Sequence, residues 1–293
     1  MPPTQIAVLI TCHNRREKTL AALAALEGQQ GLSNVALRTY LVDAGSTDGT
    51  PEAVRHAHPQ IDIVRAGSHV FWGEGMRTAS ARSCDPDQPR WDYQLWLNDD
   101  VLLAQGAVAI LLATAQAVGP VAVVVGAVRE HGGSRTTYSG RIGPSLNLVK
   151  PTGRPEPCAT YNGNVVLISR RAYQRVGDID KAFRHSIGDY DHGIRARKAG
   201  VPAYVAPHHV GWCDRNHPGG SSRERGIGVR EAMRRVVSQR ELPPRQWWTY
   251  CLRHNWPWAP ALMVSPYVKT AVRAMVQRSS TADFPTMSPE RRM

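Results

Sequence analysis

Short apolar runs and amphipathic stretches alternate along the first two hundred residues. Ile6–Ile10, Leu37–Val42, Ile61–Arg65, Asp92–Leu97, Val121–Val128 and Asn164–Ser169 are compact runs of aliphatic and β-branched residues, which predict strands. Between them Arg16–Gln29 carries Leu20, Leu23, Ala24 and Leu26 near helical spacing. Further helices are predicted over Pro51–His58, 74–85, 104–118, Arg170–Val176 and from Asp189 to Lys198. Pro51 suits a first helical turn, where a missing N–H costs nothing, and Gly200 suits a helix stop. Strands alternating with helices imply βαβ units and a mainly parallel sheet covered on both faces. From His131 to Pro157 the pattern dissolves into Gly, Ser, Pro and Arg, read as a loop or hairpin excursion. Beyond Asp214 the chain changes character: helices near 224–240 and 260–278 flank an aromatic stretch, and a polar tail follows.

Composition then narrows the class. A chain of 293 residues with 42% hydrophobic and 20% charged residues can bury a sizeable core, which excludes a wholly disordered or fibrous protein. The net charge of +12 is uneven: residues 1–213 carry +4 and residues 214–293 carry +8. Five dispersed cysteines without a CxxC pair argue against a disulfide framework or a zinc site and for reduced thiols. The N-terminus has no basic leader, and no window of about 20 residues stays apolar, so a cytoplasmic protein is expected, free or lying on a membrane surface.

Open parallel sheets bind ligands at the carboxyl ends of their strands, so the polar tips of the predicted strands form one candidate site. These tips are Thr11-Cys12-His13-Asn14-Arg15, the Asp43–Asp48 turn, the 66–77 loop and Asn98-Asp99-Asp100. Asp43 can accept bonds from a base or ribose, or it can cap the turn together with Asp48. There is no GxGxxG, so the phosphate cradle of dinucleotide folds is missing. Asp99 and Asp100 repel each other, and a fold offsets that with a cation; the other reading is a solvated acidic turn. Successive strand residues face opposite ways, so on the cation reading only one of the pair would meet the metal. Asp189 opens a predicted helix, either as an anion favoured by the helix dipole or as a general base with Asp191 and His192 for partners.

Five segments, TCHNR, VDAGSTDGT, LWLNDDV, YNGNVVLISRRAYQRVGDIDKAF and HSIGDYDHGIRARKAG, together resemble family 2 glycosyltransferases over about residues 4–213. These are inverting enzymes of the GT-A fold, among them rhamnosyltransferase-like enzymes of bacterial polysaccharide assembly. The resemblance implies a nucleotide-binding half (1–100), an acceptor half (101–213) and a basic, aromatic-rich helical extension (214–293). It implies that Thr11, Asn14 and Arg15 line a nucleotide pocket and that Asp43 meets base or ribose. Asp99 would lie near the donor ribose or sugar, and Asp100 would reach Mg²⁺ or Mn²⁺ and the diphosphate. Asn98 replaces the first acid of the family's DxD pattern, leaving one carboxylate fewer. Asn162, Gly163 and Asn164 would form a turn under sugar and acceptor, and Asp189 would be the catalytic base. Gly188 stands where the family has a Glu.

Around these, Arg77 could contact phosphate or serve packing, and Trp72 could stack or pack. Some related enzymes place a His on the metal near His208 and His209, against which stands a structural histidine. Trp212 could pack beneath the site or offer a platform for a sugar ring. The implied partners are a UDP- or dTDP-linked sugar donor and a glycan or lipid-linked acceptor.

Residues 245–258, RQWWTYCLRHNWPW, hold four of the eight tryptophans among basic side chains. Trp with Arg suits an anionic membrane surface, on the inner face of the cell membrane, or else packing onto the main domain. A basic nucleic-acid-binding protein is the competing class, but no helix-turn-helix, zinc-finger or RNP motif supports it. A nucleotidyltransferase with a similar sheet would use Asp100 and a metal too.

Overall fold

Strand β1 (Thr4–Cys12) shows why the chain folds as it does: five consecutive residues, Ile6–Ile10, are buried, as a parallel strand covered on both faces requires. The computed structural model describes residues 2–143, 145–215 and 219–282. After β1 come α1 (Arg16–Glu27), β2 (Val35–Ala44), α2 (Thr50–Ala57), β3 (Asp62–Ala66), α3 (Trp72–Ser83), β4 (Tyr93–Leu97), β5 (Leu102–Leu103), α4 (Ala107–Val118) and β6 (Val123–Arg129). Then follow β7 (Thr136–Tyr138), β8 (Gly140–Ile142), β9 (Asn147–Leu148), β10 (Glu156–Cys158), β11 (Thr160–Tyr161), β12 (Val165–Ser169), α5 (Arg170–Val176), α6 (Gly188–Lys198) and β13 (Ala203–Trp212). The chain divides into two compact units, residues 1–215 and 216–293.

The first unit is built on a sheet of order β10-β13-β6-β12-β4-β1-β2-β3, with β5 pairing β13 and β7 pairing β6. Strands β3, β2, β1 and β4 are mutually parallel, while β12 runs antiparallel to both β4 and β6. Strand β13 is again parallel to β6. The ends of β1, β2, β4, β6 and β13 and the start of β12 therefore lie along one edge of the sheet. Apolar side chains of α1 (Leu23, Leu26) and α4 (Val108, Leu111) close the core against Val8, Ile10, Leu95 and Val124. At 25 cal/mol per Å² of apolar area, each such fully buried side chain stabilises by roughly 1.5–3 kcal/mol.

The helix signals at Pro51 and Gly200 hold: Pro51 sits in the first turn of α2, and Gly200, at φ +70°, follows α6. The excursion read between His131 and Pro157 contains β7–β10, and β8 and β9 join β11 in a second, three-stranded sheet. Periodicity could not find these strands, because each is only two or three residues long.

The second unit comprises α7 (Val229–Val236), α8 (Pro244–His254) and α9 (Ala259–Ala282), with α9 packing against both others. Helix α7 is shorter than the 224–240 expected, and the first part of the aromatic stretch, to His254, is the helix α8, begun by Pro244 at its first turn. The polar tail beyond residue 282 lies outside the described residues. All five cysteines are free thiols.

Candidate active site

Two adjacent carboxylates follow β4 with a single cation between them. Arg15, on the loop after β1, places Nη1 3.0 Å from Asp99 Oδ1 and 3.0 Å from Asp100 Oδ2. Asp99 is buried, and burial together with the neighbouring Asp100 pushes its carboxyl up to about 6, against the pull of Arg15. Asp100 is slightly more open, and the Cys213 thiol donates to its Oδ1 at 3.6 Å. Burial and that carboxylate push the Cys213 thiol well up, so it stays protonated. Only the return of β13 brings Cys213 here.

From this pair the site continues through the turn before β12. The backbone N–H of Asn98 donates to Asn164 O at 3.0 Å, and Asn164 Nδ2 reaches Cys213 Sγ at 3.8 Å. The Gly163 N–H donates to Asp189 Oδ2 at 2.9 Å, and Asp189 Oδ1 takes the Tyr190 N–H at 2.9 Å. Asn162, between Arg141 and Tyr190, accepts from Arg141 Nε at 3.1 Å and donates to the Tyr190 hydroxyl at 3.3 Å. Asn162, Gly163 and Asn164 thus lie between the acidic pair and Asp189. A Cβ on Gly163 would stand 2.5 Å from the Trp72 ring and 3.4 Å from Asp189 Cβ. The glycine is what lets the indole and the carboxylate share one place. Trp72 donates from Nε1 to Asn98 Oδ1 at 2.9 Å, so it packs across the site and ties its two sides.

Asp189 sits in the first turn of α6, where the helix dipole favours an anion. Desolvation nevertheless dominates and pushes its carboxyl up to about 6; the two backbone N–H groups and Arg141 hold it lower than burial alone would. The partners expected for it are elsewhere. Asp191 is buried against Arg195 Nε at 2.7 Å, and His192 is buried between the Tyr161 hydroxyl and Gly177 O. Successive helical residues are rotated by about 100°, which turns these two side chains away from the sheet edge. Burial pushes His192 down to about 3, so it is neutral.

At the other end of the edge, Asn14 and Asp48 build the walls. Asn14, at φ +50°, takes the Thr47 N–H on Oδ1 at 2.8 Å, and its own N–H donates to Ser46 Oγ at 2.9 Å. Asp48 caps two helices, accepting from the Arg16 N–H and from Thr50. Asp43 is fully buried and receives the Ser46 N–H at 3.3 Å on both oxygens. That is the turn-capping reading: burial leaves its carboxylate no surface with which to meet a base or ribose directly. Thr11 lies at the end of β1, and its buried Oγ1 has no hydrogen-bond partner among the described residues.

Two further expectations are corrected. Arg77 donates from Nη1 to the carbonyls of Asp180 (3.2 Å) and Phe183 (3.0 Å), so it anchors the loop before α6 instead of facing a phosphate. His208 is exposed on β13, five residues before Cys213 and hence roughly 16 Å of strand away at about 3.3 Å per residue. Its neighbour His209 bonds to Thr136 Oγ1 at 2.9 Å. Neither histidine joins the acidic pair. Trp212 ends β13, half-buried, with the Arg129 guanidinium 5.6 Å above its ring.

A divalent cation fits the acidic pair only as a shared site. Among the described residues no three His, Cys, Asp or Glu side chains converge to hold an ion. Hard cations are often held by one or two carboxylates plus substrate phosphates, and the bridging guanidinium marks where these two carboxylates accommodate positive charge.

Residues 7–190 match the profile of Glycosyl transferase family 2. The chain belongs to that family. This family member is similar to N-acetylglucosaminyl-diphospho-decaprenol L-rhamnosyltransferase of two Mycobacterium tuberculosis strains (CDC 1551 / Oshkosh and H37Rv), at 27% identity over 210 residues. That match covers 58% of the chain and 65% of the relatives' length, a little under two thirds. Among solved structures it resembles the mannosyltransferase PcManGT from Pyrobaculum calidifontis in complex with GDP-Man and Mn²⁺, with TM-score 0.58 and 16% identity. That likeness covers 97% of this chain and 77% of the other. It also resembles GalNAc-T7 with UDP, GalNAc and Mn²⁺, at TM-score 0.56 and 13% identity, covering 97% of this chain and 58% of the other. The mixed, mainly parallel sheet of this family member is the GT-A fold.

Proposed function

We propose that this glycosyltransferase transfers a sugar, with inversion, from a nucleoside-diphosphate sugar to a hydroxyl of a lipid-linked glycan acceptor, with Asp189 as the base. The observation that carries the reading is the bond from the Gly163 N–H to Asp189, which seats a carboxylate raised to about 6 on the same turn that adjoins Asp99 and Asp100. A base works best when its pKa lies near the operating pH, and such catalysis contributes roughly 10²–10⁴-fold.

In this mechanism the acceptor oxygen attacks the anomeric carbon from the face opposite the departing diphosphate. The new carbon–oxygen bond forms as the bond to phosphate breaks, its electron pair leaving with the nucleoside diphosphate. The hydroxyl proton passes to Asp189. Arg15, partly exposed beside Asp99 and Asp100, supplies fixed positive charge near the phosphates. The Asn14 turn offers the nucleoside polar contacts, whereas the buried Thr11 Oγ1 faces Gly75 of α3 and offers none. Mg²⁺ or Mn²⁺ on Asp100, with Asp99 behind it, would offset charge growing on the diphosphate. The turn 162–164 lies beneath sugar and acceptor, and Trp212 flanks them.

The name of the mycobacterial relatives supports a lipid-diphosphate acceptor and a deoxyhexose donor. The test is a panel of dTDP- and UDP-sugars with a short-chain lipid-diphosphate acceptor, followed by phosphate analysis. Release of nucleoside diphosphate with a glycosylated lipid of inverted anomeric configuration is expected. No transfer from any nucleotide sugar, with pyrophosphate released in a parallel assay from a nucleoside triphosphate and a sugar 1-phosphate, would make the protein a nucleotidyltransferase.

A further inference from the structure

The second unit wears its hydrophobic residues on the outside. Nine of the eleven exposed large apolar side chains among the described residues fall between Trp248 and Val276. On α9, Val264, Val268 and Val272 follow one another at intervals of four, each more than half exposed, so they form one stripe along the helix. The inward row of the same helix is accounted for: Thr270 and Ala274 are buried, and Tyr267 donates its hydroxyl to Leu242 O at 3.0 Å. On α8, Gln246, Tyr250 and Cys251 face inward, while Trp248 and Leu252 are exposed. The Trp248 Nε1–H donates to Met263 O at 3.2 Å, which sets the outward side of α8 beside the stripe of α9. Between the helices Trp256 and Trp258 are 74% and 73% exposed. Single exposed hydrophobics are ordinary; a contiguous array of this kind marks an interaction face.

Charge selects the partner. From Leu242 to Ala282 the sequence contains no Asp or Glu, whereas Arg245, Arg253, Lys269, Arg273 and Arg278 lie within it. A protein partner would find no acid with which to set register, but an anionic surface would meet cations alone. Tryptophan beside arginine is the composition of the membrane–water interface. No helix among the described residues is long and apolar enough to cross a membrane. An apolar stripe with flanking cations is the pattern of a helix lying in the interface plane.

We propose that α8 and α9 form a monotopic docking face for an anionic lipid bilayer, with Trp248, Leu252, Trp256, Trp258, Val264, Val268 and Val272 entering the headgroup–acyl boundary and the flanking cations meeting lipid phosphates. The face would keep the enzyme at the surface that carries a lipid-linked acceptor, and to that extent it rests on the function proposed above.

The experiment is co-sedimentation of the full chain with phosphatidylcholine vesicles, with and without phosphatidylglycerol, at low and high salt. Strong pelleting with the anionic vesicles, weakened at least about tenfold by salt or by omitting phosphatidylglycerol, is expected. Trp256→Ser with Trp258→Ser, both on exposed positions, should lower vesicle affinity at least about tenfold while leaving circular dichroism and transfer to a water-soluble acceptor unchanged. Val268→Gln with Val272→Gln, chosen on another part of the face, should do the same. Failure of the native chain to pellet with anionic vesicles overturns the proposal, as does unaltered binding by both double variants. Burial of the face in a dimer seen by sedimentation velocity, without vesicle binding, overturns it too. Vesicle binding by a chain that transfers no sugar would uphold the docking face while removing the transferase reading.

Discussion

Arg15 Nη1 stands 3.0 Å from Asp99 and 3.0 Å from Asp100, so one nitrogen of a partly exposed side chain bridges two adjacent carboxylates after β4. The pair needs a cation, and the Arg15 guanidinium supplies one. The divalent ion proposed here would share this place with Arg15 or displace it. Arg15→Gln should lower stability by about 1 kcal/mol in the absence of metal, a modest figure because the guanidinium is partly solvated. The same variant should gain more thermal stability from Mn²⁺ than the native chain, because no guanidinium competes. Thermal shift with and without Mn²⁺ measures both. Equal Mn²⁺ shifts in the two proteins would separate Arg15 from the metal site.

Asp189→Asn removes the proposed base and keeps the shape. Turnover should fall roughly 10²–10⁴-fold while donor affinity changes little. The folded carboxyl titrates near 6, above its unfolded value, so its ionised form costs stability at neutral pH; Asn carries no such cost. The melting temperature at pH 7.5 should therefore change little, because relief of that cost is offset by the loss of one acceptor: the Asn amide nitrogen cannot take the N–H of Gly163 or Tyr190. A variant that melts lower, with transfer intact, would reduce Asp189 to a helix-start residue.

The same pKa sets the pH profile. A base must be unprotonated to accept the acceptor's proton, so the rate should be level above about pH 6 and fall tenfold per pH unit below it. Acid also protonates Asp99, whose carboxyl titrates near 6, so donor binding should weaken over the same range. Single-turnover rates and donor affinities against pH separate the two. A rate that stays flat down to pH 4.5 would contradict the assignment of Asp189.

Gly163→Ala would put a methyl 2.5 Å from the Trp72 ring. The indole must then move, and its bond to Asn98 Oδ1 must lengthen or break. The overpacking should cost about 1–3 kcal/mol and reduce turnover at least about tenfold by displacing Asp189. Trp72→Phe in the same background should recover part of the stability; differential scanning calorimetry would reveal that recovery.

Arg77→Met tests the corrected role of that arginine. Losing its bonds to Asp180 and Phe183 should cost about 1–3 kcal/mol, because two carbonyls lose a charged donor. Donor affinity should stay within about threefold. A tenfold loss of donor affinity at unchanged stability would return Arg77 to the phosphates.

The strand tips and the order of elements were legible from the chain itself, since burial on both faces of a parallel strand forces an unbroken apolar run such as Ile6–Ile10 and a polar break after it. Asn98-Asp99-Asp100 and Asp189 stood out for the same reason: acids directly after an apolar strand or at a helix start are visible as sequence neighbours. What periodicity could not supply was direction. Asp43 and Arg77 occupy the expected places on their elements, yet one is sealed into its turn and the other faces backbone carbonyls. Nor could it supply distant pairings: Arg15 with Asp99, Gly163 with Asp189 and Cys213 with Asp100 join residues 26 to 113 positions apart. Local sequence dictates which backbone state a segment adopts, because propensity and burial pattern act within a few residues. Which side chains meet is decided only when the sheet closes, because the strand order that brings β12 and β13 back beside β4 is settled by packing of the whole core.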